Sequence, residues 1–487
     1  MADELTPKTP ESDEEAIQQR KNGLYWGVSD ELAENMKTGW ADTELRDLQP
    51  VAQAAHTAAR RAALSARFPG ERLVVPAGNL KTRANDTEYS FRAATEYAYL
   101  TGNQTEDGVL VLEPKAGGEG HDAMLYLLPR SDRENGEFWL SGQGELWVGR
   151  RHSLSEAATL YGIPTDDVRE LAGRLREATG PVRVVRGYDA GIEKALTDKV
   201  TAERDEELRV FLSEARLVKD DFEIAELEKA CASTARGFED VVKVLDKAEA
   251  TSERYIEGTF FLRARVEGND VGYGSICAAG PHACTLHWVR NDGPVRSGDL
   301  LLLDAGVETT ELYTADVTRT LPISGTFTDI QRKIYDAVYE AQEAGIAAVK
   351  PGAAFRDFHD AAQRVLAEKL VEWGLLEGPV ERVLELGLQR RWTLHGTGHM
   401  LGMDVHDCAA ARTEAYVAGT LEPGMCLTVE PGLYFQTDDL TVPEEYRGIG
   451  VRIEDDILVT EDGNRNLSDA LPRTSAEVET WMANLKG

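Results

Sequence analysis

Residues 299–320 read DLLLLDAGVETTELYTADVTRT. Leu300-Leu301-Leu302-Leu303 has no polar face, so it predicts a strand covered on both sides. Asp304 stands at the end of that run, where a carboxylate leaving water needs a compensating partner. Asp316 comes twelve residues later, at the head of Val317-Thr318-Arg319-Thr320. That spacing allows a turn and a return strand, which would bring the two aspartates together. Singly, each is more often a capping or salt-bridged residue; the interest lies in the pair and in what else the chain holds.

Downstream, His395-Gly396-Thr397-Gly398-His399 runs on to His406, so three of only nine histidines fall within twelve residues. The glycines among them let backbone approach a site closely. Glu430 and Glu454 end or interrupt strand-like runs at 425–430 and 450–459, where a solvated charge is out of place. Alternation along a single strand at 450–459 puts Arg452 and Glu454 on one face and Ile453 on the other. Four carboxylates and an imidazole gathered in one buried volume need cations to neutralise them. Such a donor set suits manganese, cobalt, zinc or iron, and two such ions about 3.5–4 Å apart produce hydroxide at neutral pH, which points to hydrolysis. No cysteine lies at ligand spacing, which argues against a structural zinc.

Outside these motifs the chain reads as an α/β (α+β) protein of two domains, as 487 residues exceed one ordinary core. Residues 1–50 form an acidic, proline-punctuated extension, 51–215 an α/β domain, and 216–487 the domain that carries the motifs. Short apolar runs at 72–75, 109–112 and 123–128 predict strands. Asp220 with Glu223, and Thr328 with Gln331, predict helix N-termini by reciprocal capping. The formal charge of −32 opposes binding to nucleic acid or an anionic membrane, both polyanions. Five scattered cysteines, no apolar run of spanning length and no basic, apolar leader lead to an expectation of a reduced, cytoplasmic protein.

Asp304-Ala305-Gly306, Asp316-Val317-Thr318-Arg319-Thr320, His395-Gly396-Thr397-Gly398-His399, Thr428-Val429-Glu430-Pro431-Gly432 and Arg452-Ile453-Glu454-Asp455-Asp456 together resemble the pita-bread metallopeptidases, most closely the aminopeptidase P family. The resemblance covers roughly residues 55 to 470 and implies a creatinase-like α/β domain followed by a pita-bread catalytic domain. It implies two divalent ions, manganese by family habit, with Asp304 on one, His399 and Glu430 on the other, and Asp316 and Glu454 bridging. A bridging hydroxide would be the nucleophile and Glu430 its proton shuttle. His287, His395 and His406 match residues that contact the peptide and steady the tetrahedral intermediate. Tyr434 and Arg452 match residues that orient the ligands and border the substrate. In the N-terminal half, Asp86 and Trp147 match substrate-side positions, the tryptophan in a neighbouring subunit's site, which implies a homo-oligomer, a dimer or tetramer. Peptides with proline at the second position are the implied substrates. A prolidase shares all five ligands, and a non-catalytic pita-bread binding protein loses several of them. The sequence departs from the family in the loop after His406-Asp407, where Arg412 is the only arginine available for a pocket position and is out of register.

Overall fold

Three strands of the N-terminal half are short because each is a core-crossing apolar run closed by glycine, proline or charge. In the computed structural model, which describes residues 29–486 apart from 86, 178 and the side chain of 140, the chain divides into two compact units, Met1–Arg209 and Val210–Gly487. The first is built on a five-stranded sheet of β1 (Arg72–Pro76), β2 (Val109–Pro114), β3 (His121–Leu127), β4 (Thr165–Asp167) and β5 (Val182–Val184), in the order β4-β3-β2-β1-β5. β1, β2 and β3 pair antiparallel, while β4 and β5 join the edges in parallel. Val74, Val109, Val111, Val182 and Val184 are buried against Leu171, Leu175 and Leu196 of the flanking helices.

In the second unit both expected capping pairs form. Asp220 accepts from the Glu223 N–H and Glu223 from the Asp220 N–H, at 3.0 Å each, opening helix Asp221–Val242. Thr328 and Gln331 do the same for helix Asp329–Ala348. These helices, with Glu253–Glu267 and Asp357–Glu372, flank a set of small antiparallel ladders. β6 (Ile276–Ala279) and β8 (Val317–Pro322) lie on either side of β7 (Leu300–Ala305), in which all six residues are buried. Asp304 pairs with Thr318 in that register, so Asp316 sits just before β8. Gly306, at the end of β7, passes so close to the Ala315 carbonyl that a Cβ would overlap it.

The single strand expected across 450–459 is two. β9 (Cys426–Val429) pairs with β12 (Asp455–Thr460), and β10 (Gly432–Phe435) with β11 (Ile449–Arg452), while β13 (Gly463–Asn466) completes the first ladder. Between them Glu430 and Pro431 face Ile453 and Glu454, and Pro431 has no N–H to continue the ladder. The N–H groups of the two glutamates turn elsewhere: Glu430 donates to Thr397 O at 2.8 Å and Glu454 to Thr318 O at 3.1 Å. The interruption delivers both carboxylates to the same place. Behind it, Arg319 and Asp455 form a buried pair at 2.8 Å, and Asp455 also accepts from Gln342 at 2.8 Å and Ser468 at 2.6 Å. All five cysteines are free, buried and in this second unit.

Candidate active site

The end of β7, the residue before β8, the loop after residue 394 and the facing breaks between β9 and β10 and between β11 and β12 all contribute polar side chains to a single cavity of about 670 Å³. Asp304, Asp316, His399, Glu430 and Glu454 all line it, together with His287, His395, His406 and Arg452. Ligand atoms of Asp316, His399 and Glu454 lie within 4.8 Å of one another. His399 Nε2 is 3.3 Å from Asp316 Oδ2 and 3.7 Å from Glu430 Oε1. Its Nδ1 faces Met400 O at 3.1 Å, so Nδ1 carries the hydrogen and leaves Nε2 as the donor atom toward the cavity.

The electrostatics favour a cation. Burial pushes Glu430 up to about 7, against the opposing pull of His399 and Arg452. Burial and the neighbouring Asp316 and Glu430 charges push Glu454 well above the usual carboxylate range. Burial likewise raises Asp304, although Arg452 opposes it. For His399 burial disfavours the charged ring, but the Asp316 hydrogen bond and the Asp316 and Glu430 charges outweigh it and raise the imidazole to about 9. Four carboxylates and one imidazole thus fit divalent metal, whose charge replaces the protons the site otherwise retains.

Several positions around these ligands were not legible in the sequence. Tyr273, between two glycines, donates to Asp304 Oδ1 at 2.6 Å, while Arg452 Nη2 holds Asp304 Oδ2 at 2.5 Å. Thr318 donates to Glu454 Oε2 at 2.6 Å and accepts from Arg452 Nε at 3.1 Å. Asp456 accepts the Asp316 N–H at 3.1 Å and the Cys231 thiol at 3.2 Å. His359, from helix Asp357–Glu372, accepts the Thr397 N–H at 3.2 Å, and Thr397 O is the acceptor of the Glu430 N–H. Only the strings Gly-Tyr-Gly and Glu-Asp-Asp hinted at such roles, and neither is specific. Replacing Thr318 by valine, which keeps shape and removes the hydroxyl, is expected to weaken metal binding about 10–100-fold, measured by competition with a chelator.

Tyr434 stands behind the cavity rather than in its wall: its OH accepts from Arg452 Nη1 at 3.0 Å and donates to His395 Nε2 at 2.8 Å. His395 Nδ1 donates to Gly396 O at 2.7 Å, and burial, with Arg452 nearby, lowers this ring to about 4, so it is neutral at pH 7. Both its nitrogens have partners, so a substrate contact would replace one of them. Burial and the adjacent His399 lower His406 as well. Gly398 packs where a Cβ would overlap the Thr428 carbonyl, which explains the second glycine of the motif. Arg412 does not line the cavity; it forms a bidentate pair with Glu214 at 2.6 and 2.9 Å on the surface. In the other unit, Trp147 is half-exposed on helix Glu145–Val148 and donates to Trp139 O at 2.7 Å, so it is not core. Asp86 lies outside the described residues.

Residues 225–461 match the model for metallopeptidase family M24, and residues 57–183 match that for the aminopeptidase P N-terminal domain. Xaa-Pro aminopeptidase 1 of Streptomyces coelicolor is 85% identical over all of both chains. The chain belongs to metallopeptidase family M24. Among solved M24-type neighbours, aminopeptidase P from Escherichia coli with the inhibitor Pro-Leu has a TM-score of 0.80 at 31% identity, covering 91% of this chain and 100% of that one. An aminopeptidase from Pseudomonas aeruginosa has a TM-score of 0.79 at 32% identity, covering 90% and 100%. The M24 chain therefore has the expected fold, a creatinase-like α/β domain followed by a pita-bread catalytic domain.

Proposed function

We propose that this M24 chain is a Xaa-Pro aminopeptidase, hydrolysing the bond between an N-terminal residue and a following proline. The observation that carries the reading is the convergence of Asp304, Asp316, His399, Glu430 and Glu454 on one cavity in a chain 85% identical to a protein of that name. Two divalent ions held by these five residues would supply Lewis acidity toward a water and the scissile carbonyl; manganese is the metal proposed. Asp304 would serve one ion, His399 and Glu430 the other, and Asp316 and Glu454 both.

The chain's own residues then account for the rest. Glu430 is the carboxyl placed to accept a proton from the attacking water and pass it to the proline nitrogen, with Oε2 3.7 Å from His395 Nδ1. The His287 and His406 side chains line the same cavity, where an N–H donor stabilises a developing oxyanion more than the ground-state carbonyl. Arg452 and Tyr434 hold Asp304 and His395 in place. Leu286, Val289 and Val405 supply apolar wall for a proline ring, whose imide nitrogen offers no N–H to bind.

Trp147, with Leu146 and Val148 also about half-exposed (50%, 54% and 52%), supports a homo-oligomer in which this edge meets a second copy. Asp86 is proposed to act on the substrate side with it. Free cysteines throughout support a reducing, cytoplasmic setting; among the described residues no helix is long and apolar enough to cross a membrane. The domain limits proposed are an extension at 1–50, the creatinase-like domain at 51–215 and the catalytic domain at 216–487. A prolidase uses the same five residues but is not favoured by relatives named as aminopeptidases. The deciding comparison is hydrolysis of Ala-Pro-Ala, Ala-Ala-Ala and Ala-Pro by the metal-loaded chain. Cleavage of Ala-Pro-Ala at least tenfold faster than the other two is expected; activity confined to Ala-Pro would make it a prolidase, and equal rates on both tripeptides would remove the proline specificity.

A further inference from the structure

A second cavity, of about 1110 Å³, shares His395, Gly396 and Gly398 with the first as a common wall. Gly396 is exposed on that ridge, and a Cβ there would meet only the Gly398 carbonyl, at 4.0 Å. A chain leaving the active site across Gly396 therefore passes over bare backbone at that residue. Beyond it, Leu386, Leu394 and Val417 line the second cavity at 51%, 64% and 53% exposure, a shelf of apolar surface open to a ligand.

The charges of this cavity are unusual for a protein of net charge −32. Its two acidic lining residues are already matched: Asp360 by Arg356 at 3.1 Å, and Glu385 by Arg382 at 2.7 Å. Arg364 faces Glu381 at 3.5 Å. Arg390, in the wall, has no ion pair among the described residues. One uncompensated guanidinium remains beside an apolar shelf, on the far side of the ridge from the catalytic residues.

We infer that this second cavity takes the C-terminal stretch of the peptide substrate and that Arg390 meets its carboxylate. The inference rests on the Xaa-Pro aminopeptidase reading and adds a preference that the five metal-site residues do not imply, for peptides whose free C-terminus falls within reach of Arg390. The contact is solvent-exposed, so it is worth a small factor and is screened by salt.

The test uses the metal-loaded full chain and a series Ala-Pro-(Ala)n of four to seven residues, each as free acid and as C-terminal amide. At one or two lengths the acid is expected to have a kcat/KM about two- to fivefold above its amide, carried by KM, and the ratio should fall toward one at high salt. In Arg390→Gln the ratio is expected to be one at every length, and in Arg390→Lys partly restored. An acid-to-amide ratio of one throughout the wild-type series, or a preference that survives in Arg390→Gln, overturns the assignment. Absence of cleavage of Ala-Pro-Ala itself would instead sink the underlying activity, so the two failures are distinguishable.

Discussion

Replacing Glu430 by glutamine is expected to lower kcat on Ala-Pro-Ala by at least about 10³-fold while leaving the fold intact, because proton transfer by a positioned side chain is worth about 10²–10⁴ and a ligand oxygen is lost with it. The backbone at this position is held independently of the side chain, through the Glu430 N–H to Thr397 O at 2.8 Å. The amide occupies the same volume but cannot accept and release a proton at neutral pH. A built-in control accompanies the loss. Burial is the largest influence on the Glu430 carboxyl and, with Asp316 and Asp304 and against the pull of His399 and Arg452, pushes it up to about 7, so holding this charge costs stability in the chain stripped of metal. The stripped variant is therefore expected to unfold at a temperature equal to or above that of the stripped wild type. Retention of activity to within tenfold would assign the proton transfer to another residue.

Stripping the metal is expected to destabilise the chain progressively as pH rises from about 5.5 to 8, whereas the loaded chain changes little over the same range. The sign follows from proton linkage. A carboxyl whose folded pKa lies above its unfolded value of about 4.3 holds more protons when folded, so its contribution to stability is lost as pH rises through the folded pKa. Burial puts Glu430 at about 7 and Glu454 well above the ordinary range. His399, raised to about 9, loses stabilisation in the same direction between its unfolded value of about 6.5 and that pH. Metal must displace those protons, so loading releases them and gains in affinity as they dissociate. With metal at about a thousand times its dissociation constant the gain is about 4 kcal/mol, on the order of 10 °C in the unfolding midpoint. Midpoints of stripped and loaded protein at pH 5.5, 6.5, 7.5 and 8 check this; a metal-induced gain equal at every pH would show that these carboxylates are ionised without it.

The five residues that converge on the cavity were legible because each violates a local expectation: a charge at the end of a buried run, or histidines set among glycines. The capped helices were legible because capping is written in residues three apart. The break between Arg452 and Asp455 was not, since alternation alone sees one continuous strand; opposite it lies Pro431, in the gap between β9 and β10, which removes a donor across the ladder rather than along it. Tyr273, Thr318 and His359 escaped for a related reason. Each acts through a hydrogen bond to a residue distant in sequence, and a hydroxyl or imidazole that orients a ligand has the same local signature as one that packs. Arg412 shows the converse failure, where composition offered an arginine and the fold gave it to Glu214 instead.

The thiols carry one more consequence. Burial raises Cys284 and Cys408 to about 12 and Cys231 and Cys277 well beyond the ordinary thiol range, so hardly any thiolate exists at neutral pH for a reagent to attack. An alkylating agent such as iodoacetamide must then wait for the Val210–Gly487 unit to open, and the Met1–Arg209 unit has no sulfhydryl to answer for it. The labelling rate of the native chain is thus a clock for transient opening of one half of the molecule, silent about the other.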